Sequence, residues 1–328
     1  MIKLIKFFLL SLLSIEVANA STAYEEVDFD VSMGKKNLAQ YNLMLRNEES
    51  KKILDFYRAA YYEQLPSKKQ PSKEEKIPKI IHQIWISDKK VPEDVIQNEQ
   101  SCRNMHPDWK YELWDDAAIK KAGYDKHPLF KMFKGNTLAQ KEVVQYQILR
   151  DHGGVILDMD FICLQPLNEL HHKYDFYTGL KPPSNTVKHP VITASVMGAA
   201  KGYPLLGEVL EMSTKKAKTY NEKNNSYIKR KYRKLMNYFS KEKQPVRINS
   251  EYEEIISASL GEAYAKNYRA DSNAIVFPCT YFSPLFPDQS KSYDVLDKMK
   301  LKMGVMTEQQ VFSSKKPESI AVHYHQNK

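Results

Sequence analysis

An α/β fold with a mainly parallel sheet is predicted for this chain, on three observations. Short apolar runs of strand length alternate with longer stretches of helical period. Capping and breaking residues fall between them. One run, Val155 to Asp158, emerges straight from a glycine stop and ends in acid.

The elements follow in chain order. Ile53, Phe56, Tyr57, Ala60 and Tyr61 recur at i, i+3, i+4, i+7 and i+8, an apolar stripe on a helix. Leu38, Tyr41 and Leu45 suggest a helix before it. The charged stretch from Leu65 to Lys76 has two prolines and no apolar period, and reads as a linker. Residues 21–76 are thus expected to form a helical preface, with the main domain over 77–328. Lys79 to Ile86 reads as a buried strand, and Pro92 suits the first turn of a helix. Tyr111 to Trp114 is a second strand, after which Asp115 can cap a helix. Asn136 or Thr137 can cap a helix that runs to about His152 and stops at Gly153. Further strands are expected at Phe176 to Leu180, Ile192 to Met197 and Ala274 to Phe277.

Composition bounds the function. The chain has 328 residues, 42% hydrophobic and 27% charged, which reads as a soluble globular protein rather than disorder. Lys3 and Lys6 precede an apolar stretch, Phe7 to Ile15, and Ala18-Asn19-Ala20 follows as a small-residue cleavage site. Residues 1–20 therefore read as a signal peptide; the apolar run is shorter than the roughly 20 residues that span a bilayer. The rest of the chain keeps +8 of the formal +9. That excess, concentrated between 215 and 247, leaves contact with anionic membranes open, while nucleic acid is not an expected partner. The three cysteines, Cys102, Cys163 and Cys279, permit at most one internal disulfide and show no zinc spacing.

The chemistry centres on Gly153-Gly154-Val155-Ile156-Leu157-Asp158-Met159-Asp160. An apolar strand delivers two carboxylates at its end, where open α/β sheets bind ligands. If the chain stays extended, Asp158 and Asp160 share a face, roughly 6.5–7 Å apart at Cα. Two such groups suit a hard divalent cation with phosphate oxygens on its far side. A strand ending in D-x-D also opens phosphohydrolases that form an aspartyl-phosphate. Those need a later acidic motif of the Gly-Asp kind, and no Gly here is followed by Asp.

The wider pattern resembles glycosyltransferase family 32, the DXD-containing sugar transferases, with a distant likeness to the sugar-transferring domain of large clostridial toxins. Blocks 77–85, 107–115, 153–167, 197–204, 277–284 and 321–325 carry the likeness, in order. The resemblance implies a GT-A type, Rossmann-like mixed sheet with flanking helices. It also implies a metal-dependent, retaining transferase that moves a sugar from a UDP- or GDP-linked donor to a hydroxyl of a glycan, lipid or protein. Manganese is the expected metal, with magnesium as the alternative. Asp160 is expected to hold the metal, and Asp158 to touch ribose, sugar hydroxyls or a metal-bound water. Trp85 is expected to stack on the base, with plain core packing as the competing role; His82 reads as buried and hydrogen-bonded. His323, in the closing Ala321-Val-His-Tyr-His325 segment, is expected to complete the metal site, although His325 shares its face on an extended chain.

Two positions depart from the family pattern. On the helix before the DXD strand, the family's Asp and, three residues later, its Arg are replaced by Glu142 and Gln145. Glu142 is expected to keep the charge, moved outward by a methylene, while Gln145 loses a cation that could grip a diphosphate. This leaves two competing functions: a catalytically silent nucleotide-sugar-binding protein of the same fold, and a basic surface-binding module built on 215–247. Export raises a further constraint. Nucleotide sugars are found in the cytosol or a secretory lumen, so the protein is expected to be secreted or delivered into a host, or else to work in such a lumen. The mature chain should begin at about Ser21. Mass spectrometry of exported protein should find that terminus; an intact Met1 on exported material would rule the signal peptide out.

Overall fold

The structure is a computed structural model that describes residues 25–36, 38–184, 187, 189–224, 248–283 and 316–323. The proposed signal peptide, most of the basic stretch 215–247 and His325 lie outside the described residues.

Three helices open the described chain: α1 (Phe29–Ser32), α2 (Ala39–Arg46) and α3 (Glu48–Glu63). Asn47 caps α3 by accepting from Ser50 N at 2.8 Å. The stripe on α3 buries Leu54, Tyr57, Ala60 and Tyr61. Leu54, Tyr57 and Tyr61 join the main core with Phe29, Tyr264, Phe277 and Tyr281. The stretch read as a linker from its composition lies hydrogen-bonded along the domain. Ser72 N donates to His172 O at 2.9 Å, Lys76 N to His171 O at 2.8 Å, and Lys69 Nζ to Ser272 O at 2.8 Å. Charged residues can line a docked segment when their ammonium groups cap backbone carbonyls; composition alone does not separate that case from a free linker.

The central sheet has six strands in the order β2-β1-β3-β6-β5-β7. They are β1 (Ile80–Trp85), β2 (Lys110–Asp115), β3 (Gly154–Leu157), β5 (Phe176–Leu180), β6 (Ile192–Ala199) and β7 (Ala274–Phe277). β1 runs parallel to β2 and β3, and β5 parallel to β7, while β6 is antiparallel to both β3 and β5. The mixed sheet with flanking helices thus holds, and the sheet is mainly parallel, as the alternation of elements suggested, with β6 its reversed strand. β6 follows β5 without an intervening helix, so the chain returns antiparallel beside it. A second, two-stranded sheet pairs β4 (Phe161–Cys163) with β8 (Ala321–His323), antiparallel.

Helices flank the sheet: α4 (Glu93–Met105), α5 (Asp116–Ala122), α6 (Pro128–Met132), α7 (Thr137–His152), α8 (Asn168–Lys173), α9 (Pro204–Asn224) and α10 (Ile248–Asn267). Asp115 caps α5 through Ala118 N at 2.8 Å, and Asn136 caps α7 through Ala139 N at 3.0 Å. α7 then buries Val143, Val144, Tyr146, Ile148 and Leu149 and stops at Gly153, whose φ is +69°.

That stop matters most for the site. Gly154 follows with φ +95°, and a Cβ on it would lie 2.6 Å from Ile80 O. Only glycine permits so close an approach of β3 to β1. His82, fully buried on β1, clasps the same corner. Its Nε2 lies 2.9 Å from Gly153 O, and Trp114 Nε1 donates to its Nδ1 at 3.1 Å. Nδ1 accepts, so Nε2 carries the proton and donates to the carbonyl. Burial pushes the imidazole down to about 4, which keeps it neutral. His82 is a strut, as the sequence suggested.

Cys102 of α4 and Cys163 of β4 form a disulfide across a sequence separation of 61; Cys279 is a buried free thiol. Closing a loop of that length in the unfolded chain stabilises the fold by about 4 kcal/mol in the chain-entropy view. Cys163→Ser should therefore lower the unfolding free energy by about 2–4 kcal/mol in a urea titration. Alkylation of the wild-type protein in denaturant without reductant should label one thiol; three labelled thiols would mean that the bridge does not form.

Candidate active site

The site lies at the carboxyl edge of the sheet, where β3 ends beside β1. The register Ile81 to Val155 and His82 to Ile156 brings Asp158 level with Ile84, one residue short of Trp85. β6 holds the other side, with Asp158 N donating to Ser195 O at 2.9 Å. The strand ends at Leu157, and Phe161 N donates back to Asp158 O at 3.1 Å. Asp158-Met159-Asp160 is therefore a turn rather than extended chain. The extended chain from which a shared face was inferred is thus corrected to a turn, within which Met159 is buried.

α7 supplies the surroundings of Asp158. Lys141 Nζ lies 2.6 Å from Asp158 Oδ1, and Gln145 Nε2 donates to the same oxygen at 3.2 Å. Lys141 and Gln145 are one turn apart, on one face of the helix. Asp158 keeps only 14% of its side chain exposed and Lys141 20%. Burial works against the charge on Lys141, but Asp158, with Asp160 and Glu142 behind it, holds its pKa above the ordinary lysine value. Both donors take Oδ1, and among the described residues none is placed on Oδ2.

Glu142 behaves differently from the expectation that it keeps an aspartate's charge. Burial pushes its carboxyl up to about 8; Lys181 and Lys141 pull the other way, while Glu253 and Asp158 add to the rise. Near neutral pH the protonated form is favoured. Its Oε2 is buried without a hydrogen-bond partner among the described residues, and so are Gln145 Oε1 and Tyr146 Oη on the same helix. Buried polar atoms left unpaired cost of order 1–3 kcal/mol each, so such a group calls for a ligand or ordered water.

Trp85 ends β1, half-buried, with Nε1 donating to Lys89 O at 2.7 Å. Two residues earlier on the same strand, Gln83 is fully buried, with both amide atoms unpartnered among the described residues. The closing segment returns to this edge. β8 pairs with β4 so that the His323 backbone stands opposite Phe161, the residue after Asp160. The site thus gathers Asp158, Gln145 and Glu142, with Asp160 one turn on and the His323 backbone alongside. Trp85 belongs to the same sheet edge.

Lys141 is the site residue that sequence reading missed. Its position one residue before Glu142 was visible, but nothing in the pattern marked a lysine as pointing at Asp158. The i, i+4 spacing to Gln145 was the available signal. Gln83 was also passed over, inside an apolar strand where a lone amide draws no notice.

The donor set fits a hard divalent cation. Asp158 Oδ2 and the Asp160 carboxylate are oxygen ligands of the kind such ions take. Among the described residues no three His, Cys, Asp or Glu side chains cluster as a metal cage, so a cation here would draw further ligands from phosphate oxygens and water.

Comparison with known proteins bears on this same stretch. Residues 92–177, about a quarter of the chain, match the family model described as a glycosyltransferase sugar-binding region containing a DXD motif. Inositol phosphoceramide mannosyltransferase 3 of Schizosaccharomyces pombe is 35% identical over 137 residues, covering 41% of this chain and 36% of that protein. Inositol phosphoceramide mannosyltransferase 2 of the same yeast is 29% identical over 182 residues, covering 51% of this chain and 50% of that one. Mannosyl phosphorylinositol ceramide synthase SUR1 of Saccharomyces cerevisiae is 34% identical over 103 residues, covering 30% of this chain and 27% of that one. The chain spans half or less of the length of these curated relatives. Among solved structures, the glycosyltransferase domain from the YGT toxin covers 74% of this chain and 89% of its own, at a TM-score of 0.41 and 10% identity. The catalytic domain of α-toxin from Clostridium novyi reaches a TM-score of 0.38 at 8% identity, over 74% of this chain and 84% of its own. The stretch that matches the DXD sugar-binding region contains α7, the Gly153-Gly154 corner, Asp158 and Asp160.

The state of Glu142 gives a measurable consequence. A carboxyl whose folded pKa lies above its unfolded value stabilises the fold below the unfolded pKa and loses that contribution as pH rises through the folded one. For Glu142 the window runs from about pH 4.5 to about 8. Glu142→Gln should leave stability almost unchanged at pH 4 and raise it at pH 8. Melting temperatures at the two pH values check this; an equal shift at both would mean that Glu142 does not titrate in that window.

Proposed function

We propose that this chain, with a DXD sugar-binding region at the carboxyl edge of its sheet, is a metal-dependent glycosyltransferase. It would move a sugar from a nucleotide-sugar donor to a hydroxyl acceptor, with residues 77–328 as the transferase domain. The observation that carries the reading is the turn Asp158-Met159-Asp160 at the end of β3, inside the matched region and beside a helix on which Glu142 Oε2, Gln145 Oε1 and Tyr146 Oη lack partners among the described residues.

The residues suggest a division of labour. Breaking a sugar–phosphate bond leaves a diphosphate with growing negative charge, and a divalent cation on its oxygens supplies Lewis-acid stabilisation of that leaving group. Asp160 would hold the cation, with manganese preferred if His323 shares it. Asp158 Oδ2, Gln145 Oε1 and Glu142 Oε2 would meet sugar or ribose hydroxyls; the last two are buried without a hydrogen-bond partner among the described residues. A protonated Glu142 donates a hydrogen bond instead of adding a third negative charge next to the diphosphate. Trp85 would stack on the base. Retention at the anomeric carbon rests on the family resemblance alone.

The names of the yeast relatives point to the first donor and acceptor to try, a mannosyl donor and an inositol phosphoceramide. The disulfide supports a protein that folds in an oxidising compartment, in keeping with an exported chain or a secretory lumen.

Incubation with GDP-mannose, UDP-glucose, UDP-galactose and UDP-N-acetylglucosamine, with manganese, should release free nucleoside diphosphate from one of them. Binding of a nucleotide sugar with no release from any would favour the silent binding protein instead. Asp160→Asn should lower turnover on the order of 100-fold or more with the fold intact, because an amide cannot supply the carboxylate's charge. His323→Ala should weaken manganese binding where His325→Ala does not. Near-normal metal-dependent turnover in Asp160→Asn would move the metal elsewhere.

A further inference from the structure

Lys141 holds a position that the known features of the site do not explain. Its ammonium sits 2.6 Å from Asp158 Oδ1, closer than Gln145 Nε2 at 3.2 Å on the same oxygen. The acidic groups around it are Asp158, Asp160 and Glu142. The place where the resembled family carries an arginine is taken by Gln145, which is buried and neutral. One turn earlier on the same face of α7, the chain puts a lysine back.

We propose that Lys141 is an internal counter-ion that occupies Asp158 in the donor-free protein and passes to the diphosphate of a nucleotide donor when it binds. The inference rests on the glycosyltransferase reading and deepens it. Three physical points carry it. A lysine ammonium is a compact charge on a flexible four-carbon stem, able to exchange one oxyanion for another without moving the helix. Its side chain is 20% exposed, so it stands at the rim of the site and not sealed in the core. And an ammonium on Asp158 repels a divalent cation approaching the same turn, because like charges a few ångströms apart in a half-buried site disfavour each other. Metal binding would then be weak until the diphosphate arrives, draws Lys141 away and adds its own oxygens. The two ligands would bind with positive coupling, and Lys141 would set its size.

The test measures binding by calorimetry on the full protein, with manganese alone and with UDP and GDP in saturating manganese. Lys141→Met should bind manganese alone at least about threefold more tightly, since the competitor is gone. It should bind the nucleoside diphosphate roughly tenfold or more weakly, the usual scale for one charged hydrogen bond. Lys141→Arg, which keeps the charge, should stay near wild type in both titrations. A general loss of structure would weaken both ligands together and would not give these opposite signs; if that is the result, the counter-ion role is wrong. Unchanged affinities in Lys141→Met, with wild-type protein that binds UDP or GDP, would also remove it and leave the enzyme reading intact. Wild-type protein that binds neither nucleotide with manganese would overturn the glycosyltransferase reading, and this inference with it.

Discussion

The corner at Gly153 and Gly154 sets where everything else in the site can be. α7 ends there, β3 begins there, and Val155, Ile156 and Leu157 are all that separate the corner from Asp158. Two left-handed glycines turn the chain, and the missing Cβ of Gly154, which would lie only 2.6 Å from Ile80 O, lets β3 pass close to β1. His82 then donates across the gap to Gly153 O and is itself fixed by Trp114. Because the strand is short, rigid and bonded on both sides, an error at the corner would carry straight through to the DXD turn. Burial of a neutral imidazole stiffens this arrangement without adding a charge that could compete with the site above.

The electrostatics at the edge follow from the same placement. α7 packs against β3, so its inward face delivers Lys141, Glu142 and Gln145 to the neighbourhood of Asp158. Three acidic groups crowd into this region, which cannot all remain ionised cheaply in a half-buried place. The structure resolves this in two ways: Asp158 takes a lysine as partner, and Glu142 holds its proton. What is left is a region of low net charge with several unpaired polar atoms. That is a poor resting state for a protein alone and a suitable one for a ligand that brings both hydroxyls and charge.

The sheet was largely legible from sequence because its strands are short apolar runs bounded by caps that work as their chemistry says. Asp115 and Asn136 were readable as helix caps, and Phe176 to Leu180 and Ala274 to Phe277 have the bounds that their composition suggests. The reversal at β6 was not legible, since strand direction depends on the connection and not on the strand's own residues. β4 has three residues, too few for a period to show. The pairing of Cys102 with Cys163 needed the packing of α4 on β4, which spacing cannot give. In the site, acidic residues in a motif were easy to find, while Lys141 was hidden because surface lysines on helices are common. The turn at Asp158 was misjudged as extended for a related reason: strand ends are set by hydrogen bonds to neighbours, here Ser195 O and the bond from Phe161 N.

The helical segment at the start of the chain has its own place in this scheme, by way of the closing strand. α1 holds Cys279, whose thiol donates to Ser32 O at 3.1 Å, and Ser32 Oγ is hydrogen-bonded to Thr280 Oγ1. Tyr61 of α3 meets Tyr281 at 2.9 Å between hydroxyls. Thr280 in turn donates to Glu318 at 2.6 Å, Ser319 Oγ to Thr280 O at 3.0 Å, and Ile320 N to Tyr281 O at 2.8 Å. From Ile320 the chain becomes β8, which lies on β4 immediately after the DXD turn. A continuous line of buried bonds therefore runs from the first helices, through residues 279–282, to the strand that carries His323. Terminal segments are usually the first to fray; here the two described ends of the chain are tied to each other through the core. The helical segment then bears on the site not by touching it but by fixing the backbone that approaches Asp160 from the carboxyl end. The disulfide anchors that small sheet from the other side, through Cys163 of β4, so β4 and β8 are held at both edges while the turn between β3 and β4 keeps its carboxylates at the sheet edge.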